Sequence, residues 1–303
     1  MRQRLLSLPD EVKSQRGLSI LVFVLALLPR LTAVNRYITP DELMWVYRSV
    51  LFREALLAGD WLNTLTAGHP GVTTTWLGAA AVSIQMTFQP EQQAVYVWLT
   101  RLAWLSPDNM EAFTRLASFL TGGRALVAVV NSVGITAVFL LTRKLLPRAV
   151  AAVSVLLMAF EPFLVGLSGL LHVDALLTTF ATISLLALGV ALVAEMPLRR
   201  RGWYTAVSGI MAALALLTKS PALLLLPLSL AFISLKWWLA WRVDIRGRWR
   251  TLFALFGAWL LAFIVTLFAI FPALWTSPTQ VAHLMSSNAN RHIEEALRPT
   301  YFL

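Results

Sequence analysis

Apolar runs alternate with short basic clusters along most of this chain. Uncharged or nearly uncharged stretches occupy residues 17–29, 125–142, 149–160, 175–194, 202–218, 220–235 and 251–282. With flanking residues, most approach the roughly 20 residues a helix needs to cross the hydrocarbon core of a bilayer. Basic residues collect around every second run: Arg2, Arg4, Lys13 and Arg16 before the first, then Arg143, Lys144 and Arg148, then Arg199, Arg200 and Arg201, then Lys236, Arg242, Arg246, Arg248 and Arg250. Lysine and arginine accumulate on the cytoplasmic side of membrane helices, so the clusters predict a cytoplasmic N-terminus and the side of each turn.

That orientation requires a long external segment, residues 35–123, that does not cross. The pattern then predicts an all-α, polytopic integral membrane protein of about seven transmembrane helices with external amphipathic juxtamembrane helices. After a first crossing, the others are expected near 124–142, 149–170, 175–194, 203–218, 221–240 and 252–273. Residues 1–16 are then cytoplasmic, and 274–303 form an external tail. With no internal repeat, linker or low-complexity tract, one integral domain is the simplest division. Asp41, Glu42, Glu54, Asp60, Glu91, Asp108, Glu111, Asp174, Glu294 and Glu295 all fall on the external side of this map.

Inside the external segment the periodicity changes. Leu43, Val46, Tyr47, Val50 and Leu51 recur on one helical face after Thr39, which predicts an amphipathic helix lying on the membrane. Gly68, His69, Pro70 and Gly71 break the chain, and residues 72–88 read as a second surface or shallowly inserted helix. Residues 91–118 read as a third interfacial element.

Composition narrows the class. Hydrophobic residues make up 58% of 303, with twelve tryptophans and a mean hydropathy of +0.71, far from a soluble domain. The net charge of +10 lies mostly in turns assigned to the cytoplasm, where it orients helices and meets anionic headgroups, so it does not predict a nucleic-acid partner. The absence of cysteine excludes disulfide and thiol chemistry. The first run reads as a retained signal anchor, with Arg30 expected to snorkel to the external headgroups.

The ionisable residues on the external side are the candidates for chemistry. Thr39, Pro40, Asp41 and Glu42 form a helix-capping pattern, and the two carboxylates could also serve as a general base and a metal or substrate ligand. Asp174 follows His172 at an external mouth, either as a solvated loop charge or as part of a site. Glu161, beside Pro162, is expected about two turns inside a span, where an ionisable group needs a partner; Arg124 or an amide freed by Pro162 would serve. Lys219 sits in an expected external turn and Arg124 at the expected start of a span. Either could hold a phosphate, though a lone lysine there could simply snorkel. His69 and His172 lack metal-type spacing.

In chain order these landmarks carry a resemblance. The acidic pair after the first span, the His69-Pro70 turn, Glu161-Pro162-Phe163-Leu164, His172-Val173-Asp174-Ala175-Leu176-Leu177 and Thr218-Lys219-Ser220-Pro221 resemble those of GT-C type membrane glycosyltransferases. They are most similar to the protein O-mannosyltransferase (dolichyl-phosphate-mannose-protein mannosyltransferase) and aminoarabinose transferase branch. Two positions depart from it: mannosyltransferases usually have His-Pro-Pro where this chain has His69-Pro70-Gly71, and aspartate where Glu161 stands. The tail ending in Tyr301, Phe302 and Leu303 resembles the start of a motif that relatives continue, so a fragment or a minimal member is expected.

The resemblance implies transfer of a sugar from a polyprenyl-phosphate donor to a protein, lipid or glycan acceptor on the external face of the cell membrane. It implies catalytic roles for Asp41, Glu42 and Asp174, with Asp41 the first candidate for base. Substrate-binding roles fall to His69, Arg124, Glu161, His172 and Lys219. No cofactor is certain, and a divalent metal stays open. A transporter or lipid flippase, and after it an assembly subunit, are the rival readings, although the paired broken helices of many transporters are not visible.

Overall fold

The computed structural model describes residues 10–32, 34–35, 37–67, 70–240 and 248–296. His69, Arg242, Arg246 and residues 298–303 lie outside them. Among the described residues every regular element is helical: α1 (Asp10–Thr32), α2 (Pro40–Ala58), α3 (Val72–Phe88), α4 (Gln92–Thr100), α5 (Met110–Thr142), α6 (Arg148–Phe160), α7 (Pro162–Ser168), α8 (Val173–Val193), α9 (Leu198–Thr218), α10 (Leu225–Ala240), α11 (Arg248–Ile270), α12 (Ala273–Thr276) and α13 (Pro278–Ala296), with 3-10 turns at Leu62–Thr64 and Ser220–Leu224. An apolar chain in lipid must satisfy its backbone polar groups internally, and helices do so within one segment.

Among the described residues, α1, α5, α8 and α11 are long and apolar enough to cross a membrane, and α6 with α7 adds a fifth if that bent pair is one span. This is an all-α, multi-pass arrangement with fewer self-evident spans than the expected seven. The shortfall lies in α9, whose 21 residues open with three arginines, and in α10, whose 16 residues fall short of a bilayer core. Outward-facing Leu157, Val193 and Phe253 are each about two-thirds exposed, as side chains facing lipid would be.

Helix α5 organises the bundle, packing against α1, α2, α3, α6 and α8; α8 then packs on α9, and α9 on α11. It begins at Met110, not near residue 124, because the Asn109 side chain accepts the Ala112 N–H at 3.0 Å and starts the helix there. At the helical rise its 33 residues reach about 50 Å, enough to cross the core and continue beyond it. Arg124 therefore lies within the helix and does not open it. Where α9 meets α11, a Cβ on Gly209 would stand 2.3 Å from the Trp259 carbonyl oxygen, so the small residue sets the backbone approach. Trp259 Nε1 donates to Ser208 Oγ at 3.1 Å beside it.

Helices α2, α3 and α4 cap one end of α5. The predicted apolar stripe of α2 is present, but protein covers it: Val46, Tyr47 and Val50 pack with Leu99, Leu116 and Leu171. α2 is thus a packed element and not a helix whose apolar face rests on lipid. Tyr47 Oη donates to the Leu102 carbonyl at 2.8 Å, and Tyr96 Oη to Glu54 Oε2 at 2.7 Å, tying the cap together. Arg30 also departs from expectation. It is fully buried, donating from Nη1 to the carbonyls of Ala26 and Ala159 at 2.7 and 2.9 Å, so it does not snorkel.

Candidate active site

Thr39 is extended and Pro40 takes the first turn of α2, which suits a residue without an N–H. The Thr39 N–H and hydroxyl both donate to Glu42 Oε2 at 3.0 Å. Half of the expected capping box is therefore this carboxylate reaching back. Glu42 does more than cap. Arg124 donates from Nε to its Oε1 at 2.7 Å and from Nη2 to its Oε2 at 2.5 Å, and the Leu171 N–H donates to Oε1 at 2.9 Å. Arg124 also donates to the carbonyls of Val34 and Tyr37.

This network joins the link after α1, the start of α2, the middle of α5 and the loop before α8. Glu42 and Arg124 are 0% and 3% exposed, and a buried ion pair is tolerable only when its remaining hydrogen-bonding capacity is filled in this way. Burial pushes the Glu42 carboxyl up, but the hydrogen bonds from Arg124, Thr39 and Leu171 outweigh it and hold the group below the ordinary carboxylate range.

Asp41 is the opposite case. One residue earlier on α2 it is 78% exposed, and its Oδ2 lies 3.8 Å from His172 Nε2. His172 Nδ1 is 3.2 Å from Asp174 Oδ2, and Lys219 Nζ donates to Asp174 Oδ1 at 2.6 Å. Four residues spread over nearly 180 positions thus lie side by side as carboxylate, imidazole, carboxylate and ammonium at one end of the bundle, with Lys219–Asp174 hydrogen-bonded and Asp41 at the longer 3.8 Å. Asp174 stands in the first turn of α8, where the helix dipole favours an acid. Lys219 follows the last residue of α9 in an extended conformation, before Ser220 and Pro221 open a 3-10 turn.

Aromatic and basic side chains that sequence reasoning did not single out complete the mouth. Trp45 meets the His172 ring edge-on at 6.5 Å, and the Arg48 guanidinium stacks 4.7 Å from the Trp45 centroid. Burial lowers the Arg48 pKa, partly offset by the Asp41 charge. Helical spacing puts Asp41, Trp45 and Arg48 on one face, the only sequence signal that could have found them.

Gly71 explains one departure from the mannosyltransferase pattern. Its φ is +148° and a Cβ would come within 2.1 Å of the Trp45 ring, while its N–H donates to the Leu217 carbonyl at 2.9 Å. Proline can supply neither that φ nor the donor.

The other candidates lie elsewhere. Glu161 is exposed at the break between α6 and α7, where the axis bends by 60°. Its carboxylate accepts the N–H groups of Phe163 and Leu164 at 3.1 and 2.5 Å, so the partner is the amide pair opened by Pro162 and not Arg124. Arg124 is buried and engaged by Glu42 and two carbonyls. His69 lies outside the described residues. Among those described, no group of three or more His, Cys, Asp or Glu side chains is placed to hold a metal ion.

The fold and this cluster define a multi-pass helical membrane protein with a partly exposed charged cluster at one end of the bundle. A family model, that of the dolichyl-phosphate-mannose-protein mannosyltransferases, matches residues 102–275, more than half of the chain. The chain belongs to that family. No curated relative and no solved structure matches it.

Proposed function

We propose that the protein transfers a sugar from a polyprenyl-phosphate donor to a hydroxyl of a protein, lipid or glycan acceptor, at the external face of the cell membrane. The observation that carries this reading is the row of neighbouring ionisable groups from Asp41 past His172 and Asp174 to Lys219. It puts an exposed carboxylate and a cation in one mouth, as base-assisted transfer from a phosphate ester requires. In the reaction the acceptor oxygen bonds to the anomeric carbon and its proton passes to Asp41. The bond from that carbon to the phosphate oxygen breaks, and the leaving polyprenyl phosphate keeps the electron pair. Asp174 holds Lys219, whose two remaining ammonium protons bind the leaving phosphate. Arg124 acts from behind, through Glu42, by fixing α2 and the loop that carries His172.

Incubating membranes that contain the protein with radiolabelled polyprenyl-phosphate sugars is the direct test. Label should pass into protein, glycan or lipid, and the loss of transfer with Asp174→Asn should separate enzyme from carrier. Transport of the donor without transfer would reject the reading.

Two further outcomes follow. Lys219→Met should weaken polyprenyl-phosphate binding by tenfold to a hundredfold, since a charged hydrogen bond is worth about 1.5–3 kcal/mol, as measured on purified protein in nanodiscs. Unchanged affinity would leave Lys219 as a structural partner of Asp174. The proposed orientation, with about seven crossings, predicts that reporters fused after Trp61 or Thr100 read external and one fused after Arg201 reads cytoplasmic. A cytoplasmic signal at Thr100 would mean that α3 crosses and would split Asp41 from His172, Asp174 and Lys219 between the two faces.

A further inference from the structure

The opposite end of the bundle carries a second feature that sugar transfer does not use. Helix α8 runs from His172 at the mouth to Ala194, and its 21 residues separate the two ends by about 30 Å at the helical rise. At the far end a cleft of about 980 Å³ is lined by Lys144, Arg199, Arg200, Trp203, Tyr204 and Glu195, among others. Three cations against one acid leave it positive. None of Lys144, Arg199 and Arg200 has a carboxylate partner among the described residues, and all three are exposed. Lys144 Nζ lies 5.6 Å from the Tyr204 ring.

This cleft opens into an apolar groove. A space of about 450 Å³ shares Lys144, Trp203 and Tyr204 with it and continues between α5, α8 and α9 over Val133, Ala137, Phe180 and Met211. Along α5 the groove reaches from Leu141 to Val129, roughly 18 Å by helical rise. That exceeds half of a hydrocarbon core about 30 Å thick, so the groove is long enough for one leaflet. Val133 and Leu140 are exposed along it, and Trp203, two-thirds exposed, lines both spaces, a residue type that favours the headgroup boundary.

We propose that this is a binding site for an anionic glycerophospholipid of the leaflet on the basic side of the membrane, with its phosphate among Lys144, Arg199 and Arg200 and one acyl chain in the groove of α5, α8 and α9. Charge decides the headgroup class. A zwitterionic lipid brings a cation of its own toward three cations without a carboxylate partner among the described residues, whereas an anionic headgroup neutralises them, and basic pockets between membrane helices take anionic lipids for this reason. The groove decides that the occupant is a lipid and not a soluble anion. The site is independent of the sugar-transfer reading, because it shares no residue with the mouth.

The test uses the full chain purified in a neutral detergent, with phosphatidylglycerol and phosphatidylcholine as probes and native mass spectrometry as the readout. Phosphatidylglycerol should remain bound at concentrations where phosphatidylcholine does not. The triple variant Lys144→Gln, Arg199→Gln, Arg200→Gln should weaken retention on the order of a hundredfold, at about fivefold per basic residue near a lipid surface.

Val133→Trp, at an exposed position, should also reduce retention by filling the groove while leaving every charge in place, which guards against misfolding of the triple variant. Equal retention of the two lipids would overturn the proposal, as would unchanged phosphatidylglycerol binding in both variants. Polyprenyl phosphate displacing phosphatidylglycerol from the wild type, but losing affinity in the triple variant, would also overturn it by assigning the groove to the donor.

Discussion

Glu42→Gln should lower the unfolding free energy of the protein by about 3–5 kcal/mol, the usual cost of removing one partner from a buried ion pair. Glutamine keeps the shape and can still cap α2, and on the capping pattern alone this would be the mild substitution of the acidic pair. Burial reverses that ranking. Without the carboxylate charge, Arg124 is left 3% exposed with a neutral amide in place of a bidentate anion. Leu171 also loses its charged acceptor. Arg124→Met should cost a similar amount, and the double variant should recover part of it because the unpaired charge is then gone. Denaturation of purified protein in detergent measures this. A loss below about 1 kcal/mol, typical of an exposed helix cap, would reject the network as a source of stability.

The same carboxylate sets an acid limit. Its folded pKa lies below its ordinary value of 4.5, so its contribution is fully present above that value and is lost as pH falls through the folded value. Wild type should therefore lose stability in that acid window, and Glu42→Gln should lack this component.

How much was visible beforehand depended on what kind of signal each residue leaves. Membrane character and helical class follow from apolar runs and basic turns, because the bilayer imposes a length and a charge rule that act locally in sequence. Asp41, His172, Asp174 and Lys219 could be picked singly as ionisable residues beside helix ends, but their juxtaposition could not, since it depends on α2, α8 and α9 meeting at one corner. Helix α5 starts earlier than the apolar pattern predicts, because Glu111 and Arg115 read as an external, charged segment. In the structure they pair at i,i+4 at 2.6 Å and continue the helix.

Roles within the acidic pair were the least legible. Asp41 and Glu42 are adjacent and chemically alike, yet helical geometry turns one to solvent and the other into the bundle. Arg124 shows the same limit. An arginine preceding an apolar run suggests a headgroup or phosphate contact, and only the tertiary fold reveals that Val34, Tyr37 and Glu42 already occupy its fork. Arg30 was misjudged for a related reason: snorkelling assumes lipid around the side chain, whereas α6 covers it and offers the Ala159 carbonyl.

Asp41→Asn should reduce sugar transfer by roughly 10²- to 10⁴-fold, the range general-base catalysis typically supplies, with stability changed by no more than about 0.5 kcal/mol, as for most exposed substitutions. Asparagine keeps the size and can still accept a hydrogen bond, but it cannot take the proton of an acceptor hydroxyl. Donor affinity should stay near the wild-type value, because the proposed phosphate contact is Lys219, at the other end of the row, past His172 and Asp174. This separation distinguishes the base from the rest of the mouth: Lys219→Met should act on binding, and Asp41→Asn on turnover with donor already bound. The measurement is single-turnover transfer from a labelled polyprenyl-phosphate sugar, run beside donor binding and thermal unfolding of the same preparations. Full turnover in Asp41→Asn would remove it as the base. A loss that merely follows a lowered unfolding temperature would reduce Asp41 to an acid at a helix N-terminus, where its charge favours the dipole and does no chemistry.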